Sequence, residues 1–427
     1  MSTLKVNKLR DTAGSADAIT LDPNGGAVLA GVTTITTARV TSGIVTNTFI
    51  VGAGVTISES GIEASGIGIT CANINGAQIG GRRNIVINGA MQVAQRGTSD
   101  SGITASEYAD GPDRWKLGGS SFGTVTVSQS TDSPDGFSNS YKVDVTTANA
   151  SLSAGSLLEI QTSFEGQDVQ HFAKGSSAAK EYTLSFYVKT TKTGTYIAML
   201  QDHDNTRLVS KTYTVSDTNW NRYIITYPAD TTGAFGNDNE KSMSIKFVLV
   251  AGTSFTSGTL QTTWGASSNS ISRGGQVNFA DSTSNEWYLT GVQLEVGSQA
   301  TSFEHRSYGD ELALCQRYYY RQVAGDNEFF RGMAMADVDG NSIELNSPFP
   351  TTMRIAPTAI EQTGTASNYK IRRSTTATCT SVPSFGHATT DQLQCRFTKS
   401  SHGFGDGSAV RCASGTSGAY IGVSAEL

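Results

Sequence analysis

Residues 181–189 read EYTLSFYVK, and apolar and polar side chains alternate along this stretch. Successive side chains of a β-strand point to opposite faces of the sheet, so the alternation predicts a strand with one buried face. The predicted buried face carries four large apolar side chains: Tyr182, Leu184, Phe186 and Val188.

The same two-residue period recurs along the chain up to about residue 305, between segments rich in Gly, Asn, Asp and Ser. Many short strands and almost no helical pattern predict an all-β fold, here an antiparallel two-sheet sandwich of jelly-roll type over residues 81–305. Ile85 and Ile87 are expected in its first strand, followed by a turn at Asn88-Gly89. The other predicted strands are TVTVSQS, YKVDVTT, GTYIAMLQD, RYIITYP, SIKFVLVAG and EWYLTGVQLEVG.

Composition excludes several classes of protein. The net charge of -6 and pI near 5.5 leave no basic field for a phosphate backbone, which argues against nucleic-acid binding. The amino-terminal stretch lacks a signal peptide's apolar segment and no 18 apolar residues run together, so we expect synthesis in a cytoplasm and no membrane insertion. Five cysteines form no CxxC pair, which predicts reduced, buried thiols.

Residues 1–80 differ from the rest because they contain a single aromatic residue, Phe49. Gly followed by Val or Ile recurs at Gly31, Gly43, Gly54 and Gly66, which is typical of a repeating β structure. A segment so poor in large side chains cannot close a core alone, so we expect an extended shaft that buries its apolar faces against other copies of the chain. The stretch LKVNKLRDTAG ahead of it is expected to dock onto another protein. A disordered leader is the alternative.

Residues 306–427 are predicted to form a connector and a small β tip domain. The connector contains a short helix near Asp310–Arg317, and strands and polar loops follow it. About 100 residues with few apolar side chains suggest a β module supported by neighbouring copies.

Catalytic and metal-binding motifs are weak. GSSFG at 119–123 matches GxSxG, but a strand pattern follows where a nucleophile elbow needs a helix. The histidines lack HxxxH spacing, and no pair of carboxylates can be assigned to glycoside hydrolysis from spacing alone. We therefore predict a non-enzymatic protein with no metal and no cofactor.

Binding candidates are aromatic and polar side chains in loops, since sugars stack on ring faces and hydrogen-bond to carboxylates, amides and guanidinium groups. Asp202 and Asp204 in QDHDN are candidates, with a hairpin turn as the alternative. Trp264 lies in a polar loop, whereas the other tryptophans accompany strand patterns and are expected in the core: Trp115, Trp220 and Trp287. The main candidates in the last domain are Tyr369, Arg372, Arg373 and His402, and its loops also offer Phe385, His387 and Phe404.

Several landmarks, in order, resemble the carbohydrate-binding-like jelly-roll module of bacteriophage tail fibres. These landmarks are NIVINGAMQVAQRGT, ADGPDRWKL, EYTLSFYVK and EWYLTGVQLEVG, and the resemblance spans about residues 84–320. Relatives of this module hold a structural calcium ion, but the matching positions here, Gln92 and Thr290-Gly291, lack carboxylates, so no metal is carried over.

The resemblance implies a homotrimeric tail fibre of a virion. Its amino-terminal segment would dock on tail or baseplate proteins, and the protein would bind a host surface polysaccharide or outer-membrane receptor, with avidity from repeated sites. The alternatives are a purely structural virion component, such as a head fibre or collar element, and a polysaccharide depolymerase.

Overall fold

The computed structural model describes residues 83–337 and 340–427, together with eight short strands among the first 82 residues. The chain divides into two units, Met1–Cys71 and Ala72–Leu427. The predicted shaft and docking segment lie outside the described residues apart from these strands. The strands are Lys8–Arg10, Asp17–Leu21, Ala27–Leu29, Thr48–Ile50, Val55–Ser58, Gly61–Ala64, Asn73–Ile74 and Ala77–Gln78.

Residues 99–296 contain eleven antiparallel strands and one short helix. The strands are β1 Ser99–Glu107, β2 Lys116–Ser130, β3 Ser140–Thr147, β4 Leu157–Glu165, β5 Tyr182–Thr190, β6 Gly194–Asp202, β7 Arg207–Val215, β8 Asn221–Tyr227, β9 Lys241–Ala251, β10 Gly265–Ala266 and β11 Glu286–Val296. Helix α1 spans Thr253–Thr256, and four 3-10 turns lie at Gly166–Asp168, Gln170–Phe172, Asn269–Ile271 and Phe279–Asp281.

The strands form two layers because the long strand β2 belongs to both. Its first part, Lys116–Ser120, pairs with β4, and its second part, Thr124–Ser130, pairs with β3. One layer therefore has the order β8-β5-β11-β3-β2 and the other the order β2-β4-β9-β6-β7-β10, while β1 pairs along β2. This arrangement confirms the predicted all-β, antiparallel sandwich.

The bend in β2 falls on the GSSFG motif. Gly119 and Gly123 both have positive φ, and a Cβ atom at Gly119 would lie 1.9 Å from the Leu157 carbonyl oxygen. Only glycine fits such a position, so this motif lets one strand pass from layer to layer.

The sandwich core lies between the layers. The predicted buried face of EYTLSFYVK is confirmed, since Tyr182, Leu184, Phe186 and Val188 are all inaccessible to solvent. Phe186 and Phe247 meet edge to face at 4.9 Å between ring centroids, and Trp115 and Trp287 are buried beside Phe247.

Two details of the prediction are wrong. Residues 84–93 form the expected turn at Asn88-Gly89 but no strand. Backbone hydrogen bonds join the segment to β11, from the Ile85 amide to Leu294 and from the Val292 amide to Gly89, and the buried Asn88 side chain bonds to the backbone of Val93. Trp220 is half-buried and lies outside the core. Its indole nitrogen donates to the Asp132 carboxylate at 2.9 Å, so the ring covers the surface of the first layer.

Residues 308–424 contain helix α2, Tyr308–Gln316, and ten further strands. The helix matches the predicted connector helix, and Ser307 caps its amino terminus by accepting from the Asp310 amide. The strands are β12 Tyr319–Ala324, β13 Met333–Ala336, β14 Ser342–Pro348, β15 Glu361–Gln362, β16 Tyr369–Arg372, β17 Thr376–Thr378, β18 Ser384–Ala388, β19 Gln392–Thr398, β20 Ala409–Ser414 and β21 Ala419–Ser424. One 3-10 turn spans Ala366–Asn368.

This carboxy-terminal module has a hydrophobic core of its own between two sheets. The sheets have the orders β12-β21-β15 and β17-β16-β20-β13-β14-β19-β18. Its cysteines are free and buried, as is Cys315 in α2, which confirms the prediction of reduced thiols for every cysteine except Cys71, which lies outside the described residues. Among the described residues no helix is long and apolar enough to cross a membrane.

Candidate functional site

The outer face of the second layer carries a row of polar side chains. Because residues alternate along β4, Leu158 and Ile160 enter the core while Glu159 and Gln161 point away from it. The register places Gln161 between Lys116 of β2 and Lys246 of β9. We call this polar row the sheet site, defined by Lys116, Glu159, Gln161, Lys241, Lys246 and the adjoining His203.

Glu159 is the only carboxylate of the sheet site and is fully engaged. Its two oxygens contact Lys246 at 2.8 Å and Arg273 at 2.7 Å. Burial alone would raise the pKa of Glu159, but the two cations outweigh burial and hold the pKa at about 2. The carboxylate is therefore ionised at neutral pH and fixes the positions of both cations.

Lys241 lies near the Glu159–Lys246 ion pair but is not part of it. Its amine makes no hydrogen bond or ion pair with the described residues. Burial, followed by the positive charges of Lys246 and Lys116, lowers the pKa of Lys241 to about 8. A half-buried amine with a perturbed pKa is typical of a functional site.

Gln161 and His203 complete the row. Gln161 is 9% exposed, yet its side-chain amide forms no hydrogen bond with the described residues. The buried side-chain oxygen, Oε1, is therefore unsatisfied. Nε2 of His203 lies 2.8 Å from the Ser244 hydroxyl. Burial, with Lys241 and Lys246, lowers the pKa of His203 to about 3, so the ring is neutral. Buried polar groups are normally satisfied, and an unpartnered amide on the same face as a free amine suits a ligand with hydroxyl or acidic groups.

The environment of Lys241 has a consequence for stability. Because the folded state holds this proton less tightly than the unfolded state, Lys241 destabilises the fold below pH 8, and the penalty fades as pH rises toward 10.5. We expect Lys241→Met to be more stable than the wild type by about 2 kcal/mol at pH 7, with the difference declining between pH 8 and 10.5. Urea unfolding across this range tests it, with exposed Lys180→Met as control. A difference independent of pH would contradict it.

The sequence-predicted residues Asp202, Asp204 and Trp264 surround a hairpin. Asp202 ends β6, and its carboxylate is inaccessible to solvent, paired with Lys174 at 2.6 Å. Trp264 is half-buried, and its ring centroid lies 5.4 Å from the Lys174 amine. Its indole nitrogen donates to the Pro228 carbonyl oxygen. Asp204 is exposed and accepts from the Gly236 amide. Asp202 therefore has the turn role given as the alternative, and we assign it to stability.

The remaining predicted residues lie in the carboxy-terminal module. Tyr369 is fully buried, with its hydroxyl bonded to the Tyr420 carbonyl oxygen, so it belongs to the core. His402 is 8% exposed and stacks on Phe404. Arg372 and Arg373 are exposed and line one cavity together. The structure thus unites these two arginines but separates them from Asp202, Asp204 and Trp264, which lie in the sandwich.

Sequence reasoning missed Gln161, Lys241 and Lys246. Alternation in LLEIQTSFE places Glu159 and Gln161 on the outer face, and this signal was present in the sequence. The lysines could not be found this way, since their proximity depends on pairing between β4 and β9, strands about 80 residues apart.

No protein-family model matches this chain, and no curated protein matches it. Solved structures match about half of it at low similarity. They include the enzymatically active domain of bacteriophage CBA120 tailspike protein 4, at 15% identity and a TM-score of 0.27, with 50% of this chain and 21% of that chain covered. A putative sugar-binding protein from Bacteroides thetaiotaomicron matches at 10% identity and a TM-score of 0.27, with 50% of this chain and 100% of that chain covered. A family 11 carbohydrate-binding module from Clostridium thermocellum matches at 11% identity and a TM-score of 0.23, with 49% of this chain and 99% of that chain covered.

Proposed function

We propose that this protein binds carbohydrate through the sheet site of its sandwich. The observation that carries the proposal is the pair of unpartnered polar groups, the nearly buried Gln161 amide and the Lys241 amine, on one outer face. An amide and a row of ammonium groups can meet the hydroxyl and acidic substituents of an extended glycan.

The biological role that we propose is host attachment by a phage virion. The resemblance of the 84–320 landmarks to tail-fibre modules supports this role. In it the protein acts as a homotrimeric tail fibre, docks on tail or baseplate proteins through its amino-terminal segment, and adsorbs to a surface polysaccharide or outer-membrane receptor without catalysis. Repeated weak sites on one particle would add through avidity.

Binding of the purified, labelled full chain to host cells and to extracted host polysaccharide tests the proposal. We expect Gln161→Ala to weaken binding about tenfold, because one hydrogen bond in a shielded site contributes about 1 kcal/mol and loss of buried contact adds to it. Lys241→Met is the sharper variant, since we expect it to weaken binding while making the protein more stable. Misfolding could not explain that combination.

The control is Lys180→Met, which removes the same charge from an exposed position of the same sandwich. Equal loss of binding in Lys180→Met and Lys241→Met would refute the sheet site and indicate a diffuse charge effect. If the wild-type protein binds neither cells nor polysaccharide and does not compete with phage adsorption, the structural-component alternative replaces host attachment. Release of reducing sugar ends from the polysaccharide would instead favour a depolymerase.

A further inference from the structure

We infer that the carboxy-terminal module carries a second binding site, for an acidic saccharide, in the cavity around Phe329. The cavity has a volume of about 500 Å³ and is lined by Phe329, Arg372, Arg373, Ala409, Val410 and Arg411. Two of its arginines were binding candidates on sequence grounds, whereas Arg411 enters through strand pairing. The inference does not depend on the sheet site, which lies in the other module.

The first argument is the placement of like charges. Arg372 of β16 and Arg411 of β20 are directly opposite each other in the antiparallel ladder. Like charges at directly opposed positions destabilise a sheet. Arg373, the next residue along the chain, adds a third guanidinium group to the same cavity. The arrangement therefore costs stability unless an anion is present.

The second argument is the missing counter-ion. None of these three arginines forms an ion pair with a carboxylate of the described residues. The Arg373 guanidinium group donates to the Ser408 hydroxyl at 3.3 Å, its one hydrogen bond with the side chains of the described residues. Elsewhere in the described chain arginines meet acids closely, as Arg317 meets Glu165 at 2.6 Å. Guanidinium groups bind carboxylate and sulfate groups in a forked geometry, which makes such an anion the fitting ligand.

The third argument is the aromatic ring. Phe329 is 41% exposed, and the Arg411 and Arg372 guanidinium carbons lie 4.8 and 5.8 Å from its ring centroid. Its backbone is held by a bridge to Ala413. A free inorganic anion would neither stack on this ring nor fill a cavity of this size. An acidic sugar can place its apolar face on the ring and its acidic group among the arginines. The acidic chain as a whole, at -6, disfavours nucleic acid.

The test is titration of the full chain, at physiological salt, with oligosaccharides of polygalacturonate and of dextran sulfate, which separate carboxylate from sulfate recognition, and with neutral dextran. We expect one acidic probe to bind and dextran not to. Arg411→Gln should weaken that binding at least about tenfold, since a charge-assisted contact contributes about 1.5–3 kcal/mol. Phe329→Leu, which keeps an apolar side chain but removes the ring, should weaken it severalfold.

Arg396→Gln is the matched control, because Arg396 projects from β19 of the same sheet but pairs with Glu344 at 3.2 Å. Its effect on binding should stay within about twofold. The thermal midpoint of ligand-free Arg411→Gln should equal or exceed that of the wild type, since one repulsion is removed. The inference is overturned if neither acidic probe binds at millimolar concentration, or if Arg396→Gln and Arg411→Gln weaken binding equally.

Discussion

Replacing Asp202 by Asn is expected to lower the free energy of unfolding by about 3 kcal/mol and to leave glycan binding unchanged. The Lys174 amine is inaccessible to solvent and lies 2.6 Å from Asp202 and 3.1 Å from Asp230. Breaking a buried ion pair from one side costs about 3–5 kcal/mol. The lower value applies here because Asp230 and the carbonyl oxygens of Thr232 and Gly233 remain in contact with the amine.

Asp204→Asn is the control, two residues away in the same hairpin. This side chain is exposed and accepts one hydrogen bond from the described residues, from the Gly236 amide at 2.8 Å, so we expect a loss below about 1 kcal/mol. Urea unfolding of both variants, beside binding to host polysaccharide, separates a structural aspartate from a ligand-binding one. If Asp202→Asn were fully stable yet defective in binding, the assignment of Asp202 to stability would be wrong.

The hairpin shows what sequence alone could decide. QDHDN was consistent with both a ligand site and a turn, because Asp and Asn serve both. Burial separates the two, and burial of Asp202 follows from Lys174 and Asp230, which approach it from distant segments of the chain. The fold class was easier, since alternation in EYTLSFYVK is a local property and directly gives the buried face.

Features that depend on pairing between distant strands could not be predicted from the sequence. The sequence showed Arg372 and Arg373 as basic residues in a polar segment, but Arg411 joins them only through pairing of β16 with β20. Likewise GSSFG could be rejected as a nucleophile motif because a strand pattern follows, yet its use as the bend of β2 depends on where β3 and β4 pair. Trp220 was misplaced because a nearby strand pattern does not reveal which side of the sheet a flanking residue covers.

Glu426 holds the carboxy-terminal module to the sandwich. Its carboxylate contacts two buried sandwich arginines, Arg114 directly and Arg96 at 3.4 Å. Those guanidinium groups also stack on rings of the carboxy-terminal module. The guanidinium carbon of Arg114 lies 3.4 Å from the Tyr318 ring centroid, and that of Arg96 lies 3.6 Å from the Tyr319 ring centroid. Burial alone would lower the pKa of Arg114, but Glu426 raises it, which shows how strongly the carboxylate supports the buried charge.

Glu426→Gln is therefore expected to cost about 3–5 kcal/mol, because it leaves Arg114 and Arg96 buried without this carboxylate. Loosening of the junction should precede unfolding of either core, since each module has its own hydrophobic cluster. Calorimetry should show two separated transitions in the variant where the wild type shows more closely coupled ones. Limited proteolysis should cut faster near residues 298–306, which connect β11 to α2.

Glu240→Gln is the control at the same junction, because this carboxylate is 71% exposed and lies 3.8 Å from Arg354. An exposed pair of this kind contributes at most about 1 kcal/mol, so stability and cleavage should stay near those of the wild type. Equal behaviour of the two variants would mean that other contacts across the junction, such as the stacking on Tyr318 and Tyr319 and the Arg317–Glu165 ion pair, hold the modules together in place of the Glu426 carboxylate. The stacking on Tyr318 and the hydrogen bond from Arg114 to the Ser163 carbonyl oxygen would then support the buried Arg114 charge, and Tyr318→Leu should lower stability more than Glu426→Gln does.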